Sequence, residues 1–394
     1  MALLHRTRRT LTGTFRAVSD EEYARLCAGT LVPHRASVEW DDYAVLLPER
    51  ELWQGARTAW CVDGGPRALL TLRRFHIHRM PVLWAEGSPL WPGGDPTPEE
   101  ERALVEDLRR WVSSVDPAQA LVRLAVLHHE EIPGVVPTCQ QLYAHDSTVV
   151  IDLDGDEEAL RSRMKGRGRR GVNRSLRRTR VVVEEETGVD RTAFEEVYGV
   201  MHATAQRQGF HEHDVDYYWR FLTHFRDRGM ARLWVGRVDG RAVNWGLAII
   251  RGDFATWEVA ASDDEGRRQH GPDVTLYRAL LDLQASGVRT CDLAAIGSDD
   301  NPALMGLNEF KTKWATGVTR VGAPMELVLQ PARHRLLNAL AARVSGEGGM
   351  PAVLRAAERE RAAREAEERA EPVLVDPALA VDLRDGRRRG RGVA

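Results

Sequence analysis

Apolar residues along this chain fall into short runs broken by Asp-Gly turns, and two of these stretches resemble each other. "AWCVDGGPRALLTLRR" (59–74) and "LWVGRVDGRAVNWGLAIIRG" (233–252) each read as strand, Asp-Gly turn, strand, a strong local hairpin signal. An amphipathic helix follows each. Over 98–112, Thr97 is placed as N-cap, Pro98 in the first turn and Glu100 as capping-box partner, with Leu104, Leu108 and Trp111 on one face. The second helix is predicted from about Pro272 to Ala285, with Leu276, Leu280 and Leu283 inward and a stop at Gly287. Short apolar strands come next, "LVRLAVL" (121–127) and "CDLAAI" (291–296), and a further helix precedes each hairpin, near 19–28 and 190–206.

The order strand, helix, hairpin, helix, strand thus occurs twice, offset by about 170 residues. It predicts an α/β fold of two similar domains, 12–150 and 151–332, with a cleft between them as the default ligand site. Beyond 345 the texture changes. "AAERERAAREAEERAE" is charged and Ala-rich, and "RRRGRG" lies near the end. Residues 345–394 therefore read as a charged helical and disordered tail.

Hydrophobic residues make up 43% of the chain, enough for a substantial core, and the net charge is only −3. Any contact with nucleic acid must then come from a local patch. Cys27, Cys61, Cys139 and Cys291 are scattered without CxxC spacing, which fits a reducing compartment and no disulfide framework. The start has basic residues but no long apolar run, so the expected location is cytoplasmic.

Charge is distributed unevenly. "RSRMKGRGRRGVNRSLRRTR" (161–180) has ten cationic residues and no acidic one. It follows "DGDEEAL" and reads as a helix with acid in its first turn and base later. Arg167, Arg169, Arg170, Arg174, Arg177 and Arg178 are candidates for phosphate contact, each able to fork onto phosphate oxygens. No aromatic interleaves them, which favours the backbone of a folded RNA over stacked single strands. His76 and His78 in "FHIHR", and the pair opening "HHEE" (128–131), lack a third ligand at metal-binding spacing and read as structural, with no metal expected. "HEH" (211–213) precedes Tyr217 and Tyr218 as a candidate ligand contact.

Of the 55 Lys and Arg residues only three are lysine, and two of them, Lys311 and Lys313, sit within "GLNEFKTKWATG" (306–317). In a chain that writes nearly every positive charge as Arg, a compact ammonium kept here points to a role that a planar guanidinium cannot fill. If this stretch is a strand, both lysines share a side and Thr312 and Trp314 face the core or the neighbouring domain.

"RRQHGPDVTLYRALL" (267–281) follows the Gln/Arg-x-x-Gly-x-Gly pattern by which acyl-CoA-dependent N-acetyltransferases cradle pyrophosphate at a helix N-terminus. Arg268 and Gly271 match, but Pro272 has no N–H and Asp273 replaces the second glycine. The architecture is acetyltransferase-like with a disabled CoA site, which implies another acyl donor.

These residues resemble the FemABX aminoacyltransferases, which build peptidoglycan interpeptide bridges from aminoacyl-tRNA. The likeness runs from about residue 15 to 330. "STVVIDLDGDEEAL" with the Arg-rich segment and "VVVEEE" resembles the opening of the family's second domain. "CDLAAIG" resembles its Asp-Leu strand, and "GLNEFKTKWATGVTRVGAPMELVL" its Phe-Lys motif and last strand. "AEGSPLW" (85–91) resembles its Gly-Pro segment. Departures are Trp314-Ala315 in place of Phe-Gly, His213 where some members have Arg before the tyrosine pair, and no long coiled-coil arm.

The resemblance implies two tandem GNAT-like domains and an aminoacyl-tRNA co-substrate, with no cofactor and no metal. The acceptor would be an amine of a peptidoglycan precursor or similar peptide, reached at the inner membrane face. Lys311 would neutralise the developing charge on the carbonyl or ribose oxygen, with either a carboxylate of the substrate or Asp292 as the base. Phe310, Arg207, His213, Tyr217, Tyr218 and Trp314 would contact substrate. The competing readings are an acyl-CoA-dependent N-acyltransferase and a non-catalytic basic nucleic-acid-binding protein.

Overall fold

The computed structural model describes residues 11–47, 50–55, 57–77, 79–128, 132–138, 145–208, 212–299 and 304–345. His78, Cys139, His211, the end of "HHEE" and all but the first residue of the expected tail lie outside them. The chain divides into two compact units. One runs to Gln140 and resumes at Gly322; the other spans Gln141–Val321.

In the first unit, Thr14–Val18, Arg57–Val62 and Gly65–Leu70 form a three-stranded antiparallel sheet. A six-stranded sheet follows the order Glu51–Leu52, Arg73–Ile77, Met80–Trp84, Leu121–Val126, Ala323–Val328, Val135–Pro137. Only Met80–Trp84 and Leu121–Val126 run parallel, and their ladder holds two pairs, Leu83 with Val122 and Trp84 with Arg123. The helix Pro98–Val115 starts with the predicted capping box and lays Leu104, Leu108 and Val112 against Leu83, Val122 and Leu124.

The strand Ala323–Val328 corrects the expected boundary at 332. It pairs antiparallel with Leu121–Val126 and with Val135–Pro137, so the chain returns to the first unit to finish its sheet. Nothing local in a strand encodes its partner, and this pairing spans about 200 residues.

Elements of the second unit are numbered within it. They are β1 (Ser147–Asp152), α1 (Glu157–Arg163), α2 (Gly166–Arg178), β2 (Val182–Glu185), α3 (Arg191–Gln208), α4 (Val215–Arg226), β3 (Ala231–Val238), β4 (Arg241–Arg251), β5 (Phe254–Ser262), α5 (Asp264–Arg268), α6 (Gly271–Ala285), β6 (Thr290–Ala295), α7 (Met305–Lys311) and β7 (Thr319–Arg320). The sheet order is β2-β3-β4-β5-β6-β1-β7, antiparallel except between β5 and β6. Leu276, Leu280 and Leu283 of α6 pack on Trp234, Trp257, Cys291 and Leu293.

Both Asp-Gly hairpins are present, with the same backbone at the turn. Asp63 and Asp239 each have φ 50°, and Gly64 and Gly240 each have φ 82°. Two consecutive positive φ values suit the twist of a two-residue hairpin, and the Asp-Gly pair tolerates them. The basic segment departs from the expected single helix. Met164 turns extended and buries its side chain, Lys165 donates its N–H to the carbonyl of Lys313 (3.2 Å), and α2 begins anew at Gly166.

Candidate active site

The parallel ladder between β5 and β6 covers three pairs, Phe254 with Thr290, Ala255 with Cys291 and Thr256 with Asp292. β5 runs on to Ser262 and β6 to Ala295 without further pairing between them. Both strands are irregular just past the parting. On β5, Trp257 stands opposite Ala248 and Val259 opposite Leu247, so Glu258 is the inserted residue of a β-bulge. On β6, Asp292 is opposite Val150 and Ala295 opposite Thr148, and Ala294 has φ 59°. A left-handed alanine is a strained conformation held by its surroundings. Bulges of this kind re-aim side chains and end pairing beside functional sites.

Asp292 holds the β6 bulge. Its Oδ1 accepts the Ala294 N–H at 2.8 Å and the Thr148 hydroxyl, which also lies 2.8 Å from the Ala294 carbonyl. Its neighbours Cys291 and Leu293 belong to the core under α6, so alternation turns Asp292 to the other face. Burial pushes its carboxyl above the usual range, and the charge of Glu258 adds to this. Thr148, Ala294 and Lys311 pull the other way. Glu258 is 3% exposed.

Lys311 completes the group. It is the last residue of α7 and 4% exposed, and its Nζ donates to the Ala295 carbonyl at 2.9 Å. Asn308, one turn earlier, clamps the end of β6: its Oδ1 accepts the Gly297 N–H at 2.8 Å and its Nδ2 donates to the Gly297 carbonyl at 2.9 Å. The segment is a helix end rather than a strand, so the two lysines diverge. Lys313 pairs with Asp273 on α6, its Nζ lying 4.6 Å from the Phe310 ring centroid and 5.7 Å from that of Trp314. Trp314, expected to contact substrate, is fully buried in the core under α6, while Thr312 stays half-buried, with its hydroxyl on the Asn308 carbonyl at 2.6 Å.

That lysine also decides the state of the pyrophosphate-type loop. The first turn of α6 holds Pro272, which offers no N–H, and Asp273, whose carboxylate is bound by Lys313 and by Ser175 Oγ of α2 at 3.4 Å. The first turn of the helix therefore already carries a paired carboxylate, where a second anion would be repelled. α2 packs directly over this joint, since a Cβ on Gly168 would overlap the Lys313 carbonyl oxygen. Gly168, Val172 and Ser175 form its buried stripe, and Arg167, Arg169, Arg170, Arg174, Arg177 and Arg178 are all exposed. Among the described residues none of these six is ion-paired to a carboxylate; Arg167 reaches the Thr312 hydroxyl and Arg169 the Met164 carbonyl at 2.6 Å.

The other substrate candidates form a separate cluster. Tyr217 and Tyr218 on α4 are 8% and 2% exposed. His213 stacks on Tyr217 at 3.9 Å between centroids, and Tyr218 sits edge-on to Trp245. Arg207 donates to the Ser262 carbonyl at the far end of β5 (2.7 Å), and burial lowers its pKa. Tyr217 and Tyr218 also meet edge-on, and both are core packing, which a Tyr-Tyr pair in sequence does not distinguish from a ligand shelf.

Sequence reasoning missed Glu258. "ATWEVAA" reads as an ordinary strand, and the only signal was one carboxylate in an apolar run. Among the described residues no group of three or more His, Cys, Asp or Glu is arranged to hold a metal ion, and no helix is long and apolar enough to cross a membrane.

Residues 163–312 match the family model described as acetyltransferase (GNAT) domain. No curated protein sequence matches the chain. Among solved structures, the crystal structure of FemX is similar over 82% of this chain and 99% of its own, at 13% identity and a TM-score of 0.61. L-PGS from Bacillus licheniformis is 14% identical, covering 83% of this chain and 98% of its own, with a TM-score of 0.47. A tandem GNAT protein from the clavulanic acid biosynthesis pathway is 13% identical, covering 81% and 99%, with a TM-score of 0.46. Residues 163–312 thus match a GNAT-type acetyltransferase domain, and the fold of the chain is similar to that of FemX.

Proposed function

We propose that this protein is an aminoacyltransferase that moves an amino acid from aminoacyl-tRNA to an amine of a peptidoglycan precursor or similar peptide. The observation that carries the reading is the first turn of α6, where the Asp273–Lys313 pair and Pro272 occupy the place at which this fold would take an anionic CoA. A donor with its phosphates elsewhere fits better, and the six exposed arginines of α2 supply a phosphate-binding face beside that blocked turn. FemX, the solved structure described above with a TM-score of 0.61, adds support from fold.

In this reading the acceptor nitrogen attacks the ester carbonyl in the gap where β5 and β6 part. The ester is already activated, so orientation and charge stabilisation do most of the work. Lys311, 4% exposed, places its ammonium against the developing oxyanion as a compact point charge. Asp292 fixes the bulge that sets the Ala295 carbonyl to hold that lysine. Phe310 and Trp314 anchor α7 to the core behind it.

The test is transfer from labelled aminoacyl-tRNAs to candidate peptide amines, with and without ribonuclease. Product that disappears on ribonuclease treatment supports the reading. Ribonuclease-resistant transfer, or thermal protection by micromolar acyl-CoA with no transfer from aminoacyl-tRNA, returns the protein to CoA-dependent acylation.

A further inference from the structure

Arg167 is placed unlike its neighbours on α2. Arg169 and Arg177 turn back to carbonyls of their own segment, Met164 at 2.6 Å and Asn173 at 3.0 Å. Arg167 crosses to another element and donates to the Thr312 hydroxyl, one residue past Lys311. Its seat is fixed on both sides. The Lys165 N–H donates to the Lys313 carbonyl at 3.2 Å, and a Cβ on Gly168 would overlap the same carbonyl oxygen. The first turn of α2 therefore rests on residues 312 and 313, with Arg167 between the two backbone contacts.

The same short stretch holds the end of β6. Asn308 clamps both backbone groups of Gly297, and Lys311 rests on the Ala295 carbonyl at 2.9 Å. Thr312 closes α7 by giving its N–H (3.0 Å) and its hydroxyl proton (2.6 Å) to the Asn308 carbonyl. With that proton spent, the Thr312 oxygen is the acceptor that Arg167 finds. Residues 308–313 thus form a bracket. One side grips β6 and carries Lys311; the other grips α2 and aims Arg167. A guanidinium has five N–H donors, and a neutral hydroxyl compensates none of its charge. Arg167 is therefore a forked cation held in a fixed position beside α7.

In aminoacyl-tRNA the ester sits on the ribose of the terminal nucleotide, and the phosphodiesters leading to it are the anions nearest the reacting carbon. Resting on the aminoacyl-transfer reading, we propose that Arg167 is the positioning residue of the donor. It holds a phosphodiester close to the ester, and the bracket sets that phosphate at one distance from the Lys311 ammonium. The remaining arginines of α2 gather the RNA, and Arg167 converts that binding into orientation. An activated ester gains chiefly from orientation, and a displacement of about 1 Å can cost about a hundredfold in rate.

The experiment measures transfer to a peptide amine from an aminoacylated RNA hairpin that carries the acceptor stem. The same hairpin is made with an uncharged methylphosphonate at each linkage near the ester in turn. Wild type, Arg167→Gln, Thr312→Val and the double variant are compared, with thermal unfolding measured on each. Arg167→Gln should lose about tenfold to a hundredfold in kcat with a smaller change in KM, since the other arginines still bind the RNA. One of the methylphosphonates should slow wild type by a similar factor and leave Arg167→Gln as it was, because the variant no longer uses that charge. Thr312→Val, which releases the guanidinium from its bracket, should also lose kcat, and the double variant should be no slower than Arg167→Gln. Arg167→Gln with kcat near wild type overturns the proposal. So does a loss that comes with a lower unfolding temperature and leaves the variant as sensitive as wild type to every methylphosphonate, for then the arginine only braces α7. Wild-type protein that transfers neither from the hairpin nor from full-length aminoacyl-tRNA removes the parent reading and this one with it; normal wild-type transfer that no methylphosphonate slows removes this one alone.

Discussion

Arg123 and Asp292 occupy the same place in the two units, each the last residue of a short parallel ladder. In the first unit Arg123 meets Glu326 of the next strand at 2.8 Å, with both side chains almost fully buried. Glu326 also accepts the Thr138 hydroxyl at 2.7 Å and lies 2.8 Å from His334 Nε2. Nearby, Asp41 and Glu86 are likewise enclosed by Arg57, Arg73 and Arg35. In the second unit the same point carries a carboxyl that binds backbone, a second acid on a bulge, and a lysine on a carbonyl. The first unit matches each of these buried acids with arginine until the site is closed. The second keeps a cluster whose charges are arranged around a gap. The difference is the one the proposed function uses: in the first unit arginine answers each of these buried acids, and in the second a lysine held on a carbonyl stands beside Asp292.

The comparison can be broken hardest in the first unit. Arg123→Met should leave Glu326 buried with the Thr138 hydroxyl and His334 but no arginine beside it, and cost about 3–5 kcal/mol of stability, read by denaturant unfolding. Arg123→Met with Glu326→Met should recover part of that loss, since the stranded charge is gone. A neutral Arg123→Met would mean that water or rearrangement reaches the pair, and the contrast between the units would fail. In the second unit the expected loss is of rate. Lys311→Arg should bind tRNA yet lose transfer about as badly as Lys311→Met, about a hundredfold or more. Lys311→Met should also cost about 1–3 kcal/mol, because the Ala295 carbonyl loses its donor. Near-normal turnover by Lys311→Arg would end the oxyanion assignment.

The two acids should also answer pH with opposite sign. Burial is the leading cause that lifts Asp292 above its usual range. Its contribution to stability is present at acid pH and is lost as pH rises through that raised value. Asp292→Asn, which can still accept from Ala294 and Thr148, should therefore melt at or above the wild-type temperature at neutral pH while transferring poorly. Burial also pushes Glu326 up, but His334, Arg123 and Thr138 outweigh it and hold the carboxyl below its usual 4.5. Its contribution is present above that value and lost as pH falls through the lower one. Glu326→Gln should then melt below wild type at neutral pH and draw level with it on acidification. Melting curves from acid to neutral pH that shift both variants in the same direction would contradict this assignment.

What could be read from sequence follows from where each feature is encoded. The Asp-Gly turns, the Thr97–Glu100 capping box and the apolar stripes of the helices at 98–115 and 271–285 are local, and all were legible. The return of Ala323–Val328 to the first sheet was not, because strand pairing at long separation leaves no local trace. Lys311 was found as the odd lysine in an arginine chain. The fate of Lys313 depended on a choice between strand and helix end that "NEFKTKW" does not settle. Glu258 escaped because a bulge belongs to the register between strands and not to either strand alone.

The smallest expected effect concerns the arginines themselves. In the first unit they turn inward against acids, and on α2 they turn outward, with Gly168, Val172 and Ser175 taking the buried side. Substituting exposed residues away from caps and cores usually changes stability by no more than about 0.5 kcal/mol. Arg169, Arg170 and Arg174 changed together to Ser should therefore leave unfolding almost untouched. Binding is where the loss should appear. Each phosphate contact contributes a slope of about 0.7–0.9 in log affinity against log salt, because counterions leave the nucleic acid when a cation replaces them. Loss of three contacts should weaken tRNA binding at low salt and flatten that slope by about 2. The weakening should fade as salt rises, since the released ions are what drove it. A variant with an unchanged slope would make α2 a solvated helix, and its outward arginines would then carry no more meaning than the drift toward Arg seen everywhere else in the chain.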